Sequence, residues 1–228
     1  MSAVNDRLPR AVVFDLDGTL VDSVPDLRAA LNWLLPQHGR REVTREEVVG
    51  MVGDGVAKLV ERALIATGSL PASGLDALIA DFTAHYEANA VALTRPYPGA
   101  VAALRALKDA GCLLGICTNK PAGATQEVLQ ALDLLSYFDV VAGGDTVPDV
   151  RKPDPRHPLY VVDALGVASG ASVMVGDSQN DIGAAKAAGM PTVAVTFGYA
   201  HCPIGELGAD ALIDHFDELV PAITKIAG

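Results

Sequence analysis

Asp15 and Asp17 stand one residue apart at the end of Ala11–Phe14, an apolar, β-branched run without helical spacing. Such a run reads as a strand buried on both faces. In open parallel sheets, ligands sit in the crevice beyond the carboxyl ends of the strands, so acids delivered there are working groups. Gly18 and Thr19 then let the backbone turn tightly, leaving amides to face any phosphate held near Asp15. Asp177 and Asp181 follow the apolar run Val173–Val175 and Gly176 at a strand-to-helix turn, and Thr118 and Asn119 end the apolar run Leu113–Cys117. Lys152, between Arg151 and Pro153, adds a cation. Carboxylates suit a hard cation such as magnesium, and a hydroxyl, backbone amides and a lysine suit phosphoryl oxygens. Singly, each group has a plainer reading: an Asx turn at Asp15, a helix cap at Thr118, Asp177 or Ser178, an acid favoured by the helix dipole at Asp181, and a solvated lysine.

The elements that must position these groups alternate strand and helix, with one interruption. After Asp22 the apolar spacing becomes helical and stays so for about seventy residues. Ser23, Pro25 and Asp26 predict a helix start close to a capping box, followed by Leu27, Ala30, Leu31, Leu34 and Leu35 up to Pro36. Thr44 and Glu47 predict a full capping box, and further helices are expected from Val56 to about Thr67 and from Leu75 to about Ala92. Pro96 and Pro98 force extended backbone and end the block. From Gly99 the α/β alternation resumes, with a helix at Val101–Ala110 and strands at Leu113–Cys117, Val140–Ala142, Ser172–Val175, Thr192–Val195 and Ala211–Ile213. Residues 24–94 therefore read as an insertion into a core made of 1–23 and 95–228.

At 228 residues, half of them hydrophobic, the chain can bury a sizeable core. A net charge of −11 argues against a nucleic-acid or anionic-membrane partner, so an anionic substrate needs locally placed cations. Cys112, Cys117 and Cys202 show no C-x-x-C spacing and cannot all pair, which suits reduced thiols. Met1–Arg10 is polar, without the apolar core of a signal, and no window approaches a membrane span. The expected location is the cytoplasm, with a monomer or homodimer both open.

The run Asp15-Leu16-Asp17-Gly18-Thr19-Leu20-Val21-Asp22 resembles the first signature of the haloacid dehalogenase superfamily, in the form of its magnesium-dependent phosphotransferases. Thr118-Asn119 resembles the second, Lys152 the third, and Gly176-Asp177-Ser178-Gln179-Asn180-Asp181 the fourth, in the family's order. The resemblance implies a doubly wound, Rossmann-like parallel α/β sheet with an inserted all-helical cap domain. It also implies roles. Asp15 is the nucleophile that forms an aspartyl-phosphate, and Asp17 the general acid and base. Gly18, Thr118, Asn119 and Lys152 bind the phosphoryl group. Mg2+ is held by Asp15, Asp177 and the backbone carbonyl of Asp17, with Asp181 behind, on metal-bound water or Lys152.

Asp17 separates branches: haloalkanoate dehalogenases lack it and phosphonatases depart at that position, whereas phosphatases and sugar-phosphate mutases keep the pair. The runs VGDGVAKLVERAL, TNKP and VVAGGD resemble bacterial phosphoglycolate phosphatases most, which implies a small phosphorylated metabolite, 2-phosphoglycolate first, as substrate. A sugar-phosphate phosphatase or mutase of the same superfamily and, more remotely, a non-catalytic binding module remain alternatives. Gly53-Asp54-Gly55 opens a helix whose amides could receive a small carboxylate, or it is a plain turn. Two departures stand out. Asp54 occupies a place usually held by asparagine and would repel a substrate carboxylate if it faced the site. The loop after Lys152 is one residue longer than usual, and its His157 reads as a surface residue.

Overall fold

The first strand, β1 (Ala11–Phe14), lies wholly buried near the middle of a six-stranded parallel sheet. The computed structural model describes residues 8–89 and 91–226, so most of the polar Met1–Arg10 segment lies outside the described residues. After β1 the chain makes a short strand, β2 (Val21–Asp22), and then four helices, α1 (Val24–Gln37), α2 (Arg45–Val49), α3 (Val56–Ala66) and α4 (Leu75–Glu87). It returns through β3 (Arg95–Pro96) to α5 (Ala100–Asp109), β4 (Leu113–Cys117), α6 (Ala122–Ala131), β5 (Val140–Ala142) and α7 (Arg156–Ala164). The chain ends with β6 (Ser172–Gly176), α8 (Gln179–Ala187), β7 (Thr192–Val195), β8 (Ala211–Ile213) and α9 (Leu219–Ile226). The apolar runs expected as strands all form; each is too short for a helix, and the inner strands are buried while the edge strands β5 and β8 are only partly so.

The sheet order is β5-β4-β1-β6-β7-β8. The chain runs outward from β1 on one side through β4 and β5, then crosses to β6 on the other. The reversal places a crevice at the carboxyl ends of β1 and β6, the switch point where doubly wound sheets bind ligands. Asp15 and Asp177 are the residues that follow these two strands.

The inserted helices pack on one another, α1 against α2, α3 and α4. Thr44 and Glu47 form the expected capping box of α2. The expected box at Ser23 does not form: the Ser23 side chain makes no cap bond, and Asp26 turns elsewhere. Its carboxylate accepts from the amides of Leu93 and Thr94, at 3.0 and 2.7 Å, and from Thr94 Oγ1 at 2.6 Å. Asp26 thus clasps the end of the insertion to its beginning, where β2 and β3 pair antiparallel. The helix from Leu75 stops at Glu87, short of the expected end near Ala92. No helix among the described residues is long and apolar enough to cross a membrane.

Candidate active site

Lys152 is the electrostatic centre of the site. Its ammonium donates to Asp15 Oδ1 at 2.6 Å and to Asp181 Oδ1 at 2.5 Å, and all three residues are buried. Burial alone would depress the lysine's pKa, but the adjacent carboxylates reverse this and raise it. The loop that delivers Lys152 is fastened by Asn119, whose Oδ1 accepts the Lys152 amide and whose Nδ2 donates to the Lys152 carbonyl, both at 2.9 Å.

Asp177, Asp181 and Asp15 bring carboxylate oxygens within 4.8 Å of one another. Asp181 Oδ2 accepts from Ser178 Oγ at 2.6 Å and from the Ser178 amide at 2.9 Å, completing a capping box at the start of α8. The capping role and the place in the acid cluster therefore coexist in one side chain. Asp177 accepts from Thr19 Oγ1 at 3.3 Å and from the Tyr199 amide at 2.5 Å. Burial, the largest influence, raises the Asp15 carboxyl to about 7 against the pull of Lys152, and it raises Asp177 well above the ordinary range with help from Asp181 and Asp15. Three acids facing one lysine leave an excess of two negative charges if all ionise, and every donor atom is a carboxylate oxygen. The donor set fits a hard divalent cation.

These groups open on a cavity of about 60 Å3. Asp15, Asp17, Thr118, Asn119, Lys152, Asp177 and Asp181 all line it from the sheet side. From the helical layer come Gly53 and Gly55 and the apolar side chains Leu27, Val52, Val56 and Leu59. The Gly53 carbonyl accepts from Asn119 Nδ2 at 3.0 Å and from Asn180 Nδ2 at 3.3 Å, so the layer is seated directly on the sheet loops.

Three expectations need correction. Gly18 does not turn its amide to the cavity: it donates to the Val21 carbonyl at 2.9 Å. Its φ of +88° and the absence of a side chain instead allow Asp177 and Tyr199 to approach, since a Cβ there would collide with both. The Asn119 side chain serves the scaffold, with both ends of its amide engaged with Lys152 and Gly53, which leaves the backbone of its turn for any oxyanion. Asp54 does not line the cavity. Its carboxylate pairs with Arg62 and accepts from Asn180 Nδ2 at 2.7 Å. Burial would raise its pKa, yet Asn180 and Arg62 hold it below the ordinary value, so Asp54 joins the layer to α8 and its charge is already balanced. His157 is not at the surface. It is fully buried, and burial, then Lys152, push its pKa down to about 4.

Sequence reasoning missed three residues. Lys120, next after Thr118-Asn119, is buried in the cavity with its ammonium 3.2 Å from Asp17 Oδ2. Its position directly beyond a strand end was the available signal. Tyr86 accepts through its hydroxyl from Lys120 Nζ at 2.7 Å, and its place four residues after Phe82 reads as core. Tyr199 accepts through its hydroxyl from the amide of Ser23 at 2.9 Å and donates to Asp22 Oδ1 at 2.7 Å, tying the start of the insertion to the loop behind Asp177.

A family model for haloacid dehalogenase-like hydrolases matches residues 9–189. The phosphoglycolate phosphatase of Cereibacter sphaeroides is 44% identical over 216 residues, a span of 94% of this chain and 98% of that one. Among solved structures, a predicted phosphoglycolate phosphatase of Haemophilus somnus superposes with a TM-score of 0.88 at 32% identity, covering 93% of this chain and 96% of the other. CbbY of Rhodobacter sphaeroides, solved in complex with phosphate, superposes with a TM-score of 0.79 at 28% identity over 93% and 96% of the two chains. By sequence and by fold, this chain belongs to the haloacid dehalogenase-like hydrolase family as one of its phosphatases.

Proposed function

We propose that the protein is a magnesium-dependent phosphatase of small phosphate monoesters, 2-phosphoglycolate first, acting through an aspartyl-phosphate on Asp15. The observation that carries this reading is the buried Asp15–Lys152–Asp181 arrangement beside Asp177, with Asp17 facing the same small cavity. Residues 1–23 and 95–228 serve as the catalytic core and 24–94 as its cap, with Leu20–Val24 and Arg95–Gly99 as hinges. Three free cysteines support a cytoplasmic setting.

Asp15, Asp177 and the carbonyl of Asp17 would hold Mg2+, with Asp181 behind them. When bound, the ion neutralises charge on the acids and polarises phosphoryl oxygens. Asp15 attacks phosphorus; the P–O bond to the leaving group breaks with its electron pair on that oxygen, and Asp17 supplies the proton. Water then attacks the aspartyl-phosphate, Asp17 takes its proton, and phosphate leaves with Asp15 regenerated. Lys152 and Thr118, with backbone amides of the Thr118–Asn119 turn, receive the equatorial oxygens.

The testing experiment is phosphate release from 2-phosphoglycolate and from hexose, pentose and triose phosphates, with magnesium and with chelator. Magnesium-dependent release, with 2-phosphoglycolate preferred in kcat/KM, is the expected result. A product other than free phosphate would turn the reading to a mutase, and no transfer from any ester would leave a binding module.

The acid cluster also makes stability depend on pH. An aspartate raised from 3.8 to about 7 on folding costs nothing below its unfolded pKa. The penalty grows as pH rises between the two values and is constant above. Magnesium binds the ionised cluster, so its stabilising effect is expected to be larger at pH 8 than at pH 5. Thermal unfolding with magnesium or chelator at the two pH values measures this; an equal magnesium effect at both would contradict it.

A further inference from the structure

The cavity contains a second lysine that the phosphoryl chemistry does not use. Lys120 Nζ lies 3.2 and 3.4 Å from the two oxygens of Asp17, longer contacts than the 2.5 and 2.6 Å pairs of Lys152. It also lies 2.7 Å from the Tyr86 hydroxyl and 4.7 Å from the centre of that ring. Burial alone would depress the Lys120 pKa, but Asp17 and Tyr86 outweigh it and raise the pKa, so the chain keeps a charged ammonium buried in the site itself.

Its position gives it a task. In the proposed mechanism Asp17 exchanges a proton with the leaving oxygen, so Asp17 marks the leaving-group end of the cavity. Tyr86 marks the cap side of that end. A substituent on the carbon bearing the leaving oxygen must project between the two, where Lys120 sits. The other cap side chains there, Leu27, Val52, Val56 and Leu59, are apolar and give a polyhydroxylated leaving group nothing to bond.

We infer that Lys120, with the Tyr86 hydroxyl, is the receptor for a carboxylate carried on the leaving group, and so the residue that selects short phosphorylated hydroxy acids over neutral phosphate esters. This rests on the phosphatase reading above. The competing role, a fixed counter-ion for Asp17, would affect every ester alike.

The test compares kcat/KM for 2-phosphoglycolate with that for ethyl phosphate, which carries a methyl group in place of the carboxylate. Lys120→Met and Lys120→Gln are measured beside the unaltered protein. Glutamine keeps hydrogen-bonding capacity toward Asp17 and Tyr86, so it serves if the apolar variant does not fold. The ratio of the two kcat/KM values is expected to fall on the order of 100-fold in either variant, chiefly through KM. A ratio that stays within about threefold, both substrates losing together, assigns Lys120 to Asp17 and overturns the inference while the phosphatase reading stands. If the unaltered protein hydrolyses no ester, the phosphatase reading fails. Calorimetric binding then decides the inference separately, with phosphonoacetate against methylphosphonate. Loss of the preference for phosphonoacetate in the variants supports it, and equal binding before and after substitution overturns it.

Discussion

Asp15→Asn is expected to abolish phosphate release, with kcat lower on the order of 10^4-fold or more, because an amide cannot form the acyl-phosphate. The variant is expected to fold. It replaces a carboxyl whose ionised form burial disfavours, raised to about 7, by a neutral group of the same shape, and Lys152 keeps its 2.5 Å partner Asp181. At pH 8 without magnesium its melting temperature should equal or exceed that of the unaltered protein, since one of three crowded negative charges is gone. Loss of activity with stability retained separates chemistry from scaffolding. Turnover within tenfold of the original, measured on purified protein, would remove Asp15 as the nucleophile.

Lys152→Met is expected to damage both properties. Its side chain is 2% exposed and touches two carboxylates, so removal leaves Asp15 and Asp181 buried without their cation and next to Asp177. Breaking a buried pair in this way costs about 3–5 kcal/mol, and each kcal/mol lowers the melting temperature by about 2–4 °C in a chain of this size. The loss has a definite pH sign. Without the lysine the Asp15 carboxyl ionises at still higher pH, so destabilisation should be greater at pH 8 than at pH 5, and magnesium should recover part of it. Turnover should fall about 10^2- to 10^3-fold as the transferring group loses a fixed cation. An unchanged melting curve at pH 8 would show that Lys152 does not hold the acid cluster together.

The parts of this protein legible in its sequence are those governed by local rules. Asp15 and Asp177 were found because a buried parallel strand needs an apolar run and its end is visible where the run stops. Thr44 and Glu47 were found because a capping box has a fixed spacing. Ser23 and Asp26 imitate that spacing, but Asp26 gains more from three donors at Leu93 and Thr94, which lie nearly seventy positions away. His157 misled for the opposite reason. Its loop is rich in proline and charge, yet it lies four residues before Val161 on the face of α7 that packs on β4 and β5. The side-chain bonds of Asn119 to Lys152 and Gly53 were not legible, because which groups an amide bonds depends on the loop opposite. Lys120 and Tyr86 meet only when the insertion folds over the sheet, and no spacing within either segment announces that meeting.

The pairing of Val21 with Pro96 and of Asp22 with Arg95 has a consequence for descent. The chain departs from the core and re-enters it at neighbouring points, about 4.8 Å apart as in any strand pair. Whatever lies between those points closes a loop whose ends already touch, and loop-closure entropy grows only slowly with length. One helical segment can therefore be exchanged for another without moving β1, β4 or β6 or the acids at their ends. The strand-end acids and the helical layer above them lie on separate stretches of the same polypeptide, and a lineage can keep the first while it replaces the second.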